Sequence, residues 1–185
     1  MNKAETRQLF LKQRLETDAV LLAQWSQKIA SHTLAYIEQQ GISVVMAYAA
    51  FRKEPETAAL IEKLLQRGIT VGLPKCEKKG VMVTYTVQDM GELTSGRFGI
   101  LEPQPTCVLN PQSIEMVLVP GCAFGRDMSR VGYGGGYYDR YLSACSCAAF
   151  VGLCYEFCLT DHLPTESFDI KMDMVITENG VMNKV

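Results

Sequence analysis

The sequence is short of the residues that the commonest catalytic chemistries need. It has two histidines, His32 and His162, which argues against a histidine-rich metal site and against a Cys–His nucleophile pair. It also lacks an excess of positive charge. Lys and Arg number 18 against 20 Asp and Glu, a net charge of −2, so no extended nucleic-acid footprint is expected, while a small local anion site stays open. Long apolar runs are missing: VVMAYAAF and MVLVPGCAF stop far short of a membrane span, and the N-terminal MNKAETRQLFLKQRLE is charged where a signal segment is apolar. The expected location is the cytoplasm, with neither nucleic acid nor membrane as partner. Cysteine is not scarce, at seven residues, but the number is odd and Cys145, Cys147, Cys154 and Cys158 follow none of the spacings of zinc or redox sites. Reduced, mostly buried thiols are expected. Repeats and low-complexity tracts are absent as well.

What is present is ordinary globular material. Apolar residues make up 48% and charged residues 21%, which excludes a disordered or fibrous chain. A chain of 185 residues buries about two-thirds of its unfolded surface around one core, and a single domain over 1–185 is expected. Leu9, Leu15, Val20, Leu21, Trp25, Ile29 and Leu34 recur at helical spacing between Lys3 and Gln39, with a break at Thr17-Asp18, either of which suits an N-cap. Gly41 ends the helical region. ISVVMAYAAF then reads as a buried strand, EPETAALIEKLLQRG as a helix closed by Gly68, and ITVGLP as a strand, together a right-handed βαβ unit. The middle stretch, KKGVMVTYTVQDMGELTSGRFGILEPQPTCVLNP, alternates over Val81 to Val87 and turns Gly- and Pro-rich, a segment expected to cover the sheet. IEMVLVPG, AAFVGLCY and DMVITENG complete an α/β fold with a largely parallel sheet flanked by helices.

The chemistry gathers in RVGYGGGYYDRYL, residues 130–142, which follows the buried strand MVLVPG and the polar loop CAFGRDMSR. A helix is expected from about Gly135 to Ser143. Glycines at a strand-to-helix crossover let backbone N–H groups approach an anion, and a helix start favours negative charge. Arg126 and Arg130 would add guanidinium donors, and Asp139 a carboxylate of the kind Mg²⁺ takes beside phosphates. Plainer readings stand beside these: glycines for a tight turn, Tyr137 and Tyr141 as a packed helix face, Asp139 complementing the helix dipole. The stretch is neither a P-loop, lacking its Lys-Ser/Thr, nor a dinucleotide fingerprint, because Tyr137 stands where the third glycine belongs.

VPGCAFGRDMSRVGYGGGYYDRYL resembles the signature of the 5-formyltetrahydrofolate cyclo-ligase family, also called 5,10-methenyltetrahydrofolate synthetases. KAETR at Lys3 to Arg7, EPETAALI, GRFGILEP and KMDMVITENG are similar, in order, to further motifs of that family. The resemblance implies the ribose-5-phosphate isomerase/CoA transferase-like fold, and a monomer that closes 5-formyltetrahydrofolate to 5,10-methenyltetrahydrofolate with ATP and Mg²⁺, releasing ADP and phosphate. By the same resemblance ATP lies against Lys3, Ala4, Glu5, Thr6 and Arg7 and against Arg130, Val131, Gly132, Tyr133, Gly134, Gly135, Gly136, Tyr137 and Tyr138. Lys3 and Arg130 act on the phosphates, and Asp139 and Asp173 serve Mg²⁺. Glu56, with Phe51, Tyr133 and Tyr137, borders the folate.

Taken alone, Lys3 also reads as a solvated terminal charge, Asp173 as a strand-edge cap, and Glu56 as a favourable charge in a helix first turn. The chain departs from the family pattern at Thr6, Gly125, Met128 and Cys158, where Leu, Asp, Gly and Gln are usual. Two rivals follow: a sugar-phosphate isomerase or CoA-handling enzyme of the same fold, and a folate- or nucleotide-binding homologue without turnover.

Overall fold

A computed structural model describes residues 1–77, 80–96 and 99–184. Lys78 and Lys79 of the covering segment, and Arg97 and Phe98 of the GRFGILEP stretch, lie outside the described residues. Helix α1 spans Lys3–Glu16 and α2 Ala19–Gln40. Asp18 makes the break between them, its carboxylate accepting from the N–H groups of Val20 and Leu21, each at 3.0 Å, so that two otherwise orphaned donors are satisfied. Gly41, with φ +66°, ends α2 in the left-handed conformation. Strand β1 (Val44–Met46), helix α3 (Ala58–Gln66) and strand β2 (Thr70–Cys76) form the crossover unit, and β1 and β2 pair in parallel. There follow β3 (Met82–Val87), the short pair β4 (Thr94–Ser95) and β5 (Leu101–Glu102), and β6 (Met116–Val119). A hairpin of β7 (Ala123–Gly125) and β8 (Arg130–Val131) leads to α4 (Tyr137–Leu142). Strands β9 (Ala149–Leu153), β10 (Leu159–Thr160), β11 (Met174–Thr177) and β12 (Gly180–Asn183) complete the elements.

Seven strands form one sheet in the order β12-β11-β9-β6-β1-β2-β3. The five in the middle run parallel, and only the edges, β12 and β3, are antiparallel. Strand β6 is central and buried throughout, and its two-residue period divides it between the faces. Met116 and Leu118 pack with α2 and α3, through Ile29, Ile37, Leu60 and Leu64. Val117 and Val119 pack on the other face with Phe10 of α1 and Tyr141 and Leu142 of α4. Three layers result, helices on both faces of a mostly parallel sheet.

Two segments differ from their expected form. The loop CAFGRDMSR contains the β7–β8 hairpin, and β10 pairs with β7 to make a three-stranded sheet. This hairpin turns on Met128, whose φ of +69° is a strained value for a side chain with a Cβ. At Gly125 an added Cβ would come within 2.3 Å of both Asp127 and Ser129 side-chain oxygens. Helix α4 is shorter than expected because the left-handed Gly136, φ +63°, stands as its N-cap. Among the described residues no helix is long and apolar enough to cross a membrane.

Candidate active site

A cleft of about 700 Å³ opens where β1, β2 and β6 end, the edge at which parallel sheets place their ligands. Tyr48 and Ala49 follow β1, Pro74 and Cys76 belong to the end of β2, and Pro120 follows β6. The glycine loop 132–136 forms one wall, Lys3 and Arg7 of α1 an adjoining one, and Leu101 and Glu102 of the covering segment a third. Glu166, Phe168 and Asp169, from the loop before β11, close the side next to Lys3.

The cations at the glycine loop are held in different ways. Arg7 donates from Nε to the Gly132 carbonyl at 2.6 Å, and its Nη groups make no further hydrogen bond among the described residues. Gly134, φ +93°, passes so close that an added Cβ would sit 3.3 Å from the Arg7 guanidinium, which is why the backbone is bare there. Arg130 is buried and pairs with Asp139 at 2.9 Å. It also reaches the Pro120 carbonyl at 3.3 Å, and its Nε, although buried, has no partner among the described residues. Lys3 is clamped by Glu166 and Asp169, each at 2.6 Å, and lies 5.3 Å from the Phe168 ring centre. Burial pulls the Lys3 pKa down, but the bonds to Asp169 and Glu166 outweigh it and leave the amine above its ordinary value.

Across the cleft sits a carboxylate that the sequence reading passed over. Glu54 is only 4% exposed. Its Oε2 accepts from the Phe51 N–H at 2.9 Å, and its Oε1 from the Tyr133 hydroxyl at 2.8 Å. Burial raises its pKa from the ordinary 4.5 to about 7, against the opposing pull of the Arg14 charge and of the Tyr133 and Phe51 donors. The turn carrying it holds Arg52 and Lys53 at φ +48° and +57°, two consecutive left-handed residues other than glycine, the kind of strain that collects at functional sites. Phe51 and Tyr133 meet at 5.9 Å between ring centres beside it, so an acidic group and two aromatic faces share one wall.

Several residues expected at the site stand elsewhere. Glu56 is exposed just ahead of α3, its Oε1 accepting from the N–H of the N-cap residue Thr57 at 3.0 Å and from that of Ala58 at 3.4 Å. Pro55 separates the roles: the residue before a proline avoids helical backbone, so Glu54 turns into the cleft while Glu56 meets the helix start. Asp173 is exposed at the edge where β9 and β11 begin, opposite the cleft edge, and accepts from the Phe150 N–H at 2.7 Å. Arg126 is paired with Glu156 and Asp161 at 3.2 and 3.5 Å, outside the cleft lining. Ala4, Glu5, Thr6 and Val131 do not line the cleft either. Glu5 closes a capping box with Asn2, and Thr6 is buried with its hydroxyl on the Asn2 carbonyl at 2.9 Å. Gly132 to Gly136, Tyr137, Tyr138, Asp139, Arg130, Lys3, Arg7 and Phe51 do come together there. Among the described residues no disulfide joins any of the seven cysteines. Burial raises Cys122 and Cys145 to about 11 and Cys158 to about 12, which makes these inert thiols.

Glu54 left one faint trace in the sequence, an acid directly ahead of a proline and so barred from the helix that follows. Arg14 left none, since an arginine on an amphipathic helix reads as solvated, yet it is 1% exposed.

The family model described as the 5-formyltetrahydrofolate cyclo-ligase family matches residues 1–178. The 5-formyltetrahydrofolate cyclo-ligase of Haemophilus influenzae is 30% identical, over 87% of this chain and 89% of its own. A probable 5-formyltetrahydrofolate cyclo-ligase of Schizosaccharomyces pombe is 31% identical, over 72% of this chain and 74% of its own. Among solved structures, the 5,10-methenyltetrahydrofolate synthetase of Aquifex aeolicus superposes with a TM-score of 0.88 at 30% identity, covering 99% of this chain and 93% of that one. The Mycoplasma pneumoniae enzyme of the same name shares the fold, with a TM-score of 0.80 at 24% identity over 96% of this chain and 99% of its own.

Proposed function

The chain belongs to the 5-formyltetrahydrofolate cyclo-ligase family, and from that premise we propose that its cleft cyclises 5-formyltetrahydrofolate to 5,10-methenyltetrahydrofolate at the expense of ATP, as a monomer in the cytoplasm. The observation that carries this reading is the pairing of two unlike walls in one cleft. A bare glycine loop faced by Arg7 and Lys3 suits phosphates. The buried Glu54, between Phe51 and Tyr133, suits a flat heterocycle with adjacent N–H donors, since an ionised carboxylate accepts two such bonds.

The formyl oxygen is a poor leaving group until it is phosphorylated. In the reaction read here it attacks the γ-phosphorus, the bond to the ADP oxygen breaks, and the carbon becomes an iminium phosphate. N10 then adds to that carbon, phosphate departs with the oxygen, and the N10 proton is lost. None of these steps asks for a covalent enzyme nucleophile. The chain supplies position and neutral charge balance: Arg7 and the loop amides meet the phosphates, Lys3 joins them on leaving Glu166 and Asp169, and Glu54 holds the pterin.

Arg130 acts at one remove, fixing Asp139 and packing 5.7 Å from the Tyr138 ring centre. Mg²⁺ fits beside Asp139. The Oδ1 atom of that residue is occupied by Arg130, while Oδ2 makes no bond among the described residues, and Mg²⁺ commonly takes one or two carboxylates together with substrate phosphates and water. Bound there, it would offset phosphate charge.

The test is the appearance of methenyltetrahydrofolate absorbance from 5-formyltetrahydrofolate, with ATP and Mg²⁺ each left out in turn. Turnover is expected only in the complete mixture. Binding of both ligands by folded protein without turnover would establish the non-catalytic homologue instead.

A further inference from the structure

Arg14 is the charged side chain that this mechanism leaves unused, and it is among the largest fully buried side chains of the molecule. Leaving α1, its guanidinium donates to three acceptors: the Arg52 carbonyl at 3.0 Å, the Gly121 carbonyl at 2.8 Å and the Tyr133 hydroxyl oxygen at 2.5 Å. An arginine only donates. The Tyr133 oxygen must therefore accept from Arg14, and its own proton is directed to Glu54 Oε1, 2.8 Å away. The bond to Arg52 also fixes the left-handed turn from which Glu54 projects. Tyr133 lies in the glycine loop and Gly132 is held by Arg7 from the same helix, so one helix sets both walls of the cleft.

We propose that Arg14 is a positioning residue of the cyclisation: acting through the Tyr133 hydroxyl and the Arg52 carbonyl, it holds Glu54 aimed at the pterin and favours its carboxylate form. The proposal rests on the reading that Glu54 binds the pterin. Groups that interact electrostatically with Glu54 include Arg14 of α1, Tyr133 of the loop, Glu56 of its own segment, Tyr48 after β1, Tyr138 of α4 and Cys122. Arg14 makes the largest contribution that opposes burial. The hydroxyls and the thiol are pushed upward by burial and stay neutral at pH 7. Glu56 carries like charge and opposes ionisation. Without Arg14, burial loses the largest charge that opposes it.

The experiment is steady-state kinetics of Arg14→Met, Arg14→Lys, Tyr133→Phe and Glu54→Gln, varying each substrate from about pH 5 to pH 9. In Arg14→Met the acid limb of kcat/KM for 5-formyltetrahydrofolate should move up by about one pH unit or more. The KM for that substrate should rise about tenfold near pH 7, while the KM for ATP stays within about twofold of wild type. Arg14→Lys should restore most of the shift, because the charge and one donor remain. Tyr133→Phe removes only the relaying hydroxyl and should move the limb in the same direction, so it carries the test if Arg14→Met does not fold. A limb that stays in place in both variants, or equal losses for ATP and folate, would overturn the proposal. Glu54→Gln keeps the two failures apart: if it leaves the folate KM unchanged, the pterin reading itself falls, and the proposal with it.

Discussion

Two acids two residues apart, Glu54 and Glu56, show how little residue type says about role. Glu56 stabilises a helix start, and its loss would be felt in stability. Glu54 is buried with a pKa near 7, and its effect on stability has a definite sign. The folded carboxyl keeps its proton up to about 7 and the unfolded one only to its ordinary value near 4.5, so the folded state binds more protons between those values. Stability is therefore greatest below the lower value and falls as pH climbs through the upper one. Glu54→Gln cannot ionise, and its single carbonyl oxygen keeps only one of the two bonds from Tyr133 and Phe51. Thermal unfolding should show its stability relative to wild type improving by on the order of 1–3 kcal/mol between pH 4 and pH 8, while its folate KM rises. The two aspartates divide in the same way. Asp139→Asn should raise the Mg²⁺ concentration needed for half-maximal turnover several-fold. Asp173→Ala should leave that titration unchanged and cost about 1 kcal/mol, the worth of its bond to the Phe150 N–H.

At the scale of elements, the glycine loop takes its form from what lies beneath it. Helix α1 lays Arg7 under Gly134, and the loop's backbone passes over it with φ +93° at that residue. Gly134→Ala combines a left-handed conformation with a tight contact on Arg7. About 1–2 kcal/mol of stability should be lost by chemical denaturation, and the KM for ATP should rise while that for folate changes less. The loop was legible in the sequence as bare, glycine-rich backbone after a strand. Its companion, the β7–β8 hairpin, was not, because Met128 occupies a left-handed position where glycine is the usual signal. Helix α4 is six residues long, and a turn and a half of helix supplies little dipole. The cations and the bare amides, rather than a helix end, give the loop its charge.

At the scale of the whole molecule, three layers close over both faces of the sheet and leave one edge open for the cleft. The cysteines record that enclosure. Cys122, Cys145, Cys154 and Cys158 are buried, whereas Cys107 and Cys147 are exposed. A thiol reagent should label those two rapidly in the native protein and all seven after unfolding, and modification of the fast pair should leave turnover intact. The helices, the crossover unit, the central strands and the glycine loop were readable from the sequence, because capping, periodicity and bare backbone act over a few neighbouring residues. So was the family, whose motifs are contiguous. Tertiary structure alone decided which acid lines the cleft, which aspartate stands beside the glycine loop and where Arg14 lies. Each of those depends on side chains far apart in sequence: Arg14 meets Tyr133 across 119 positions and Tyr133 meets Glu54 across 79. Burial then changes their chemistry, since desolvation lifts the Glu54 carboxyl towards neutral pH while the Arg14 charge and the Tyr133 and Phe51 donors hold it back.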